Sequence, residues 1–229
     1  MLEVASYISP DEIIILGDYA DFYFASGHGP KHPKLLNTTV DEVESVNQGL
    51  DELDKLFPRS KKKFIEGNHE FRLTRFCQNK CPELFGYVDS QHLFKIQERG
   101  WNWISYGPNQ RTQVLGSKLY ARHEPFGSSA KATAARALCS VVYGHIHRIE
   151  ESHIVGLDGT NHVAFSVGWL GDKRKDEIFG YVKGHQQWQL GFGLVYVDQS
   201  TGMFFHNKIH IIDKSGKFHC VVNGKRFTS

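Results

Sequence analysis

Three short apolar runs, each followed by glycine and then polar residues, constrain this chain more than anything else in it. Ile13-Ile14-Ile15-Leu16 runs into Gly17-Asp18, Phe64-Ile65 is followed by Gly67-Asn68-His69-Glu70, and Val141-Val142-Tyr143 by Gly144-His145-Ile146-His147. Runs of this length bounded by turn residues read as buried strands. In an open α/β sheet, the residues just past the carboxyl ends of strands gather at one rim, where ligands bind. The pattern therefore predicts an α/β fold in which an Asp, an Asn and three His, far apart in sequence, meet at one edge. Oxygen and imidazole donors suit Mn²⁺, Fe or Zn²⁺ better than a thiolate-held structural ion.

Between these runs the periodicity is readable. Val43, Val46, Leu50, Leu53 and Leu56 recur at helical steps from Thr38 or Thr39 until Pro58 closes the run. A short helix carrying Phe71, Arg72, Leu73, Arg75 and Phe76 should follow His69. Lys61-Lys62-Lys63 reads as a solvated loop or, on a sharper reading, as a phosphate-backbone contact. Residues 80 to 110 look irregular. Gln113-Val114-Leu115 and Leu119-Tyr120-Ala121, split by Gly116-Ser117-Lys118, predict a hairpin ending at His123. Ser128 to Leu138 predicts an Ala-rich helix capped by Ser128 or Ser129. From His153 onward the pattern is mostly β, with Ile154-Val155, Val163 to Val167, Leu194 to Val197 and Met203 to Ile212, and a glycine-rich loop region spanning Gly168 to Gly193.

The ordered blocks Asp18, Asn68-His69, His123 and His145-x-His147 resemble the signature of the calcineurin-like metallophosphoesterases, over residues 13 to 170. The Gly-Asn-His-Glu-Phe-Arg-Leu run and the Trp188 to Gly193 segment look most like members encoded by phages and prophages. The resemblance implies one domain over 1–229, a four-layer α/β/β/α sandwich of two mixed sheets, with a β-rich part from 150 to 229. It also implies two divalent ions, Mn²⁺ first, with Fe or Zn²⁺ as alternatives. Asp18 would bridge them; Asn68, His123 and His145 would complete one position and His147 would serve the other. His69 would be the proton donor, held by Asp21, while Glu70 orients the loop. The family's first block, Asp-x-His, has no counterpart before Asp18. Residues 1 to 10 read as the tail of a helix entering the Ile13 strand, so relative to the family the chain reads as missing its first strand and two ligands.

The expected activity is metal-dependent hydrolysis of phosphoesters. Phe22 stands where the protein-phosphatase branch has a phosphate-binding Arg, which favours phosphodiesters, nucleic acid or nucleotides among them, over phosphoproteins; Arg72 or Arg148 would then supply the phosphate contact. The rival reading is a catalytically impaired remnant with a binding or structural role. A third is a zinc-only structural fold using His and Cys.

Taken alone, each pick has a plainer reading. Asp18 suits a cap or turn and Asn68 a turn, His123 suits a half-exposed strand end, and Trp188 to Gly193 suits core packing. His28 and His32, in a Gly/Pro loop, line a cleft or sit at the surface. The 229 residues carry a net charge of +2, which selects no polyanionic partner but leaves local patches open. Cys77, Cys81, Cys139 and Cys220 form neither a disulfide framework nor a zinc spacing. No window reaches the roughly 18 apolar residues of a membrane span, and no signal-peptide pattern is present. The expectation is a protein of the cytoplasm, the host's if phage-encoded.

Overall fold

The computed structural model describes residues 1–27, 39–171 and 187–229; His28, His32, Gly180 and Gly184 lie outside them. In chain order the elements are α1 (Leu2–Ile8), β1 (Glu12–Ile15), α2 (Thr39–Leu56), β2 (Lys61–Ile65), α3 (Glu70–Lys80), α4 (Ser90–Leu93), β3 (Asn102–Ile104), β4 (Thr112–Gln113), β5 (Leu119–Arg122), α5 (Ala130–Ala137), β6 (Ser140–Tyr143), β7 (Ile149–Val155), β8 (Asn161–Val167), β9 (Gly191–Val197), β10 (Phe204–His210), β11 (Ile212–Lys214), β12 (Lys217–Val222) and β13 (Lys225–Thr228). The fold is mixed α/β. The chain divides into two compact units, one built on Pro10–Gln110, the other on Met1–Ser9, Arg111–Gly171 and the stretch ending at Ser229.

The Pro10–Gln110 unit holds a three-stranded sheet in the order β1-β2-β3. Both pairings are parallel, with Ile15 opposite Phe64 and Ile65 opposite Ile104, so this sheet is not mixed as expected. β1 is its edge strand, and every residue in it is only half-buried, unlike the buried strand its apolar run suggests. Helix α2 follows its predicted periodicity and buries Val46, Leu50 and Leu53. Leu56 is exposed instead, and Phe57, one residue on, takes the buried place. Phe64 is fully buried, stacked on Trp103 at 5.0 Å and tilted against Phe94 at 5.8 Å.

Two readings of this unit need correction. Lys61–Lys63 form most of β2 rather than a loop, and two of their charges are met locally: Lys62 pairs with Asp54 at 3.3 Å and Lys63 with Glu12 at 2.7 Å. The supposedly irregular 80–110 stretch contains α4 and β3. Three residues paired on one side are too few to produce a periodic signal.

The other unit is built around a mixed five-stranded sheet in the order β4-β5-β6-β8-β7, parallel at its centre and antiparallel at both edges. The predicted hairpin is β4–β5. The Ala-rich helix is α5, capped by Ser129, whose hydroxyl accepts the Ala132 N–H at 3.2 Å. β9 pairs with β10, and β11, β12 and β13 form an antiparallel meander. Gly191 and Gly193 belong to strand β9 rather than to a loop. A Cβ on Gly191 would run into the carbonyls of Val167 and Ile209, so close strand approach requires glycine there. The amino-terminal helix does not merely lead into β1: its Val4 packs with Ile209, Val222 and Phe227 in a separate apolar cluster.

Glu151 of β7 stitches this unit together. It accepts from His153 at 2.7 Å, from His206 of β10 at 2.9 Å, and from Lys208, while the His206 ring stacks on Phe165 at 4.0 Å. Burial pushes the Glu151 carboxyl up, but the bonds from Lys208, His206 and His153 outweigh it and hold it at about 2. All four cysteines are unbridged.

Two measurements probe these contacts. Truncating Phe64→Ala removes a buried ring and should cost about 3–5 kcal/mol in urea unfolding. Because the Glu151 carboxyl sits lower in the folded chain than the ordinary 4.5, its stabilisation is complete above that value and is lost as pH falls toward about 2. Glu151→Gln should therefore flatten the acid limb of the stability profile between about pH 5 and 2, and an unchanged limb would deny the cluster its role.

Candidate metal centre

The sequence-picked residues fall in both units, and each set is built by its own backbone. Asp18, Asp21, Asn68 and His69 belong to the parallel-sheet unit; His123, His145 and His147 belong to the mixed-sheet unit.

In the parallel-sheet unit the chain turns sharply past β1. Gly17 (φ 89°) and Asp18 (φ 55°) are consecutive left-handed residues, a conformation that costs an ordinary residue about 1–2 kcal/mol. The cost is met by Glu70, the first residue of α3 and fully buried. Its Oε1 accepts the N–H groups of Tyr19 at 2.6 Å and Ala20 at 2.9 Å; its Oε2 accepts those of Asp18 at 2.9 Å and Gly67 at 2.8 Å. Gly67 is obligatory, since a Cβ there would strike the Asp18 backbone and carboxylate. Asp18 Oδ1 then accepts the His69 N–H at 3.0 Å. The Asp18 turn and the Asn68-His69 turn are thus one locked structure, with Asn68 half-buried between Gly67 and His69.

His69 is held from both sides. Its Nδ1 lies 2.8 Å from Asp21 Oδ1, and Arg72 Nη2 donates to its Nε2 at 2.8 Å. A guanidinium can only donate, so Nε2 must accept, and the ring is the Nδ1–H tautomer donating to Asp21. Arg72 Nη1 also bonds the Asp21 carboxylate at 2.6 Å and its carbonyl at 2.8 Å. The buried Arg72 side chain is therefore engaged with Asp21 and His69, where the sequence suggested a phosphate contact. Burial pushes the Asp21 carboxyl up, yet the bond from His69 and the charge and bond of Arg72 hold it below its ordinary range.

Glu42 of α2 completes this arrangement, unseen by sequence reasoning. Its Oε1 accepts the N–H groups of Asp21 at 2.6 Å and Phe22 at 2.9 Å. Burial keeps the Glu42 carboxyl above its ordinary range despite those bonds. Phe22 is left-handed (φ 44°) and fully buried, stacked on Phe94 at 5.9 Å. Glu66 lies just before Gly67, its Oε2 accepting the Tyr106 N–H at 2.8 Å. Burial, with the nearby charges of Glu70 and Asp89, pushes the Glu66 carboxyl up to about 7.

In the mixed-sheet unit, parallel register does the positioning. Arg122 lies opposite Tyr143, and the Gly144 N–H donates to the His123 carbonyl at 2.9 Å, so the ends of β5 and β6 lie side by side. His145 (φ 66°) and His147 (φ 57°) are both left-handed, strain of the kind that collects at functional sites. His123 is fully buried. Its Nε2 lies 3.3 Å from His145 Nδ1, with the rings edge to face at 82°. Two imidazoles binding one tetrahedral ion at about 2.0–2.1 Å each would place their nitrogens at about this separation. The pair fits a divalent ion.

His147 is placed differently. Its ring stacks on Trp169 at 5.3 Å and meets Trp188 edge-on at 4.6 Å; the two indoles are 4.9 Å apart. The Gln189 N–H donates to the His147 carbonyl at 2.8 Å. Trp169 was not singled out from the sequence; a lone Trp after a strand carries no local signal. Trp188 packs against this histidine rather than in a late strand.

No protein-family model, curated protein or solved structure matches the chain. Among the described residues no helix is long and apolar enough to cross a membrane.

Replacing Glu70 with Gln would turn an NH₂ group toward two of the four N–H donors. With charged hydrogen bonds lost and buried donors unmet, about 3 kcal/mol of stability should go, and amide exchange at residues 18–20 should accelerate. Protection as strong as in the parent would contradict the clamp.

Proposed function

We propose that this chain is a metal-dependent phosphoester hydrolase, acting on phosphodiesters, with nucleic acid or nucleotides among its substrates. The fold we assign to it is the four-layer sandwich of the metallophosphoesterases. The observation that carries the reading is the Asp21–His69–Arg72 arrangement, half-buried at Asp21 and His69 and buried at Arg72, joined through one backbone bond to Asp18, with Asn68 between. An imidazole oriented by a carboxylate is a proton-transfer device, and here it stands beside two oxygen ligands of the type divalent ions take. The 3.3 Å His123–His145 pair is the second support.

On this reading Asp18, Asn68, His123 and His145 hold divalent ions, with Mn²⁺ the first choice, and His147 serves a neighbouring position. Bound ions would neutralise the non-bridging oxygens of the ester and lower the pKa of a coordinated water. Substrate entry would displace Arg72 Nη2 from Nε2, and Nε2, protonated from solvent, would then donate that proton to the departing oxygen. Asp21 fixes the ring through Nδ1 and compensates the charge it gains. Arg72 holds Asp21 through Nη1. Glu42 and Glu70 bind backbone and keep these side chains from drifting.

The purified chain given Mn²⁺ and an aryl phosphodiester should turn over, and His69→Ala should lower kcat by about 10²–10⁴-fold, the usual worth of a positioned acid–base group. Calorimetry should show Mn²⁺ binding that Asp18→Asn and His145→Ala each weaken. Binding without turnover would favour the impaired-remnant reading; neither binding nor turnover would defeat the proposal.

A further inference from the structure

Net positive charge in this chain is concentrated at its carboxyl end, where acids are scarce. Residues 203–229 contain Lys208, Lys214, Lys217, Lys225 and Arg226 against one acid, Asp213, a net +4 in a chain whose total is +2. Residues 1–202 are therefore net negative.

The register of the β11–β13 meander sorts these charges by face. Lys214 lies opposite Lys217, Ile212 opposite His219, and Val221 opposite Arg226. Directly opposed residues share a face, and so do residues two apart on one strand. Lys214, Lys217, His219 and Arg226 therefore stand on one face, with Ile212 and Val221 between them. The opposite face carries Val222 and Phe227, buried against Val4 and Ile209. Asp213 belongs to that second face, opposite Phe218, and its Oδ1 accepts the Gly216 N–H at 2.9 Å within the turn. No strand residue on the cationic face is acidic. Lys214, Lys217 and Arg226 are exposed, and Arg226 Nη2 donates to His219 Nδ1 at 3.2 Å, which steadies the guanidinium over the sheet.

Folding alone does not explain this face. Like charges directly opposed across an antiparallel pair destabilise it, and Lys214 and Lys217 are such a pair with no carboxylate in register to offset them. A row of cations maintained against that cost is suited to a polyanion. The face lacks Trp, Tyr, Phe and Leu, the residues a membrane-inserting surface presents and a base-stacking platform requires. What remains is contact to phosphates, which is independent of sequence.

We propose that the outward face of the β11–β13 meander binds the phosphate backbone of a nucleic-acid strand. The choice of nucleic acid among polyanions rests on the phosphodiesterase reading, which it deepens by naming the substrate class; the charge arrangement stands without it.

The test is fluorescence anisotropy of a labelled single-stranded DNA oligonucleotide with the full chain in EDTA, titrated between 50 and 200 mM salt. Three phosphate contacts predict a slope of log K against log salt of about −2. K214E/K217E/R226E should weaken binding by about tenfold or more and flatten the slope. K214Q/K217Q, which changes less and serves if the triple variant fails to fold, should reduce the slope by about 1.4. Because no metal or turnover enters this measurement, binding that survives a failed hydrolase assay sinks only the catalytic reading. Parent-like binding by the charge variants would overturn the proposal. So would binding to phosphatidylserine vesicles with none to DNA.

Discussion

A single buried carboxylate governs the candidate site in the parallel-sheet unit. Glu70 has no exposure to solvent, and an ionised carboxylate in that position is tolerable only when its lone pairs are filled. Four backbone N–H groups fill them, three from the turn after β1 and one from the turn after β2. The acid also opens helix α3, where negative charge is favoured by the helix dipole. One side chain thus binds two strand-end turns to one helix. The left-handed backbone at Gly17 and Asp18 persists because this clamp over-determines it.

The same economy recurs around it. Glu42 anchors Asp21 and the strained Phe22 through their N–H groups, and Asp21 and Arg72 then hold the two nitrogens of His69. Each polar group is placed by another, down to carboxylates that accept backbone N–H groups. In the mixed-sheet unit the work is done by parallel register instead. It aligns the ends of β5 and β6, so that His123 and His145 face each other at 3.3 Å. His147, two residues further along the turn, joins a different neighbourhood, that of Trp169 and Trp188. Identical side chains at i and i+2 thereby meet different chemistry.

Much of the fold was legible. Helix α2 was read from Val46, Leu50 and Leu53, α5 from its alanines and the Ser129 cap, and the hairpin from the glycine between β4 and β5. These features depend on residues close together in the chain. β3 was not legible, because it owes its existence to β2 rather than to its own pattern. Neither were β12 and β13, in which Lys217, His219, Lys225 and Arg226 interrupt apolar alternation, nor the strand character of Lys61–Lys63, where Asp54 and Glu12 meet the charges of Lys62 and Lys63. The role of Glu70 as a loop orienter and the Asp21–His69 pairing were anticipated. The engagement of Arg72 with Asp21 was not legible, since nothing local shows that a guanidinium will turn inward to a carboxylate 51 positions away.

By itself, then, the sequence determined which donors exist, that they follow apolar strands, and which segments are helical, because periodicity, caps and turns are settled by near neighbours. Only the tertiary structure decided what each donor touches. The His69 tautomer, the burial of His123, the aromatic surroundings of His147 and the cationic face of the last three strands all follow from strand register and long-range hydrogen bonds. Those depend on how distant segments pack, and a one-residue change of register would send each strand side chain to the opposite face.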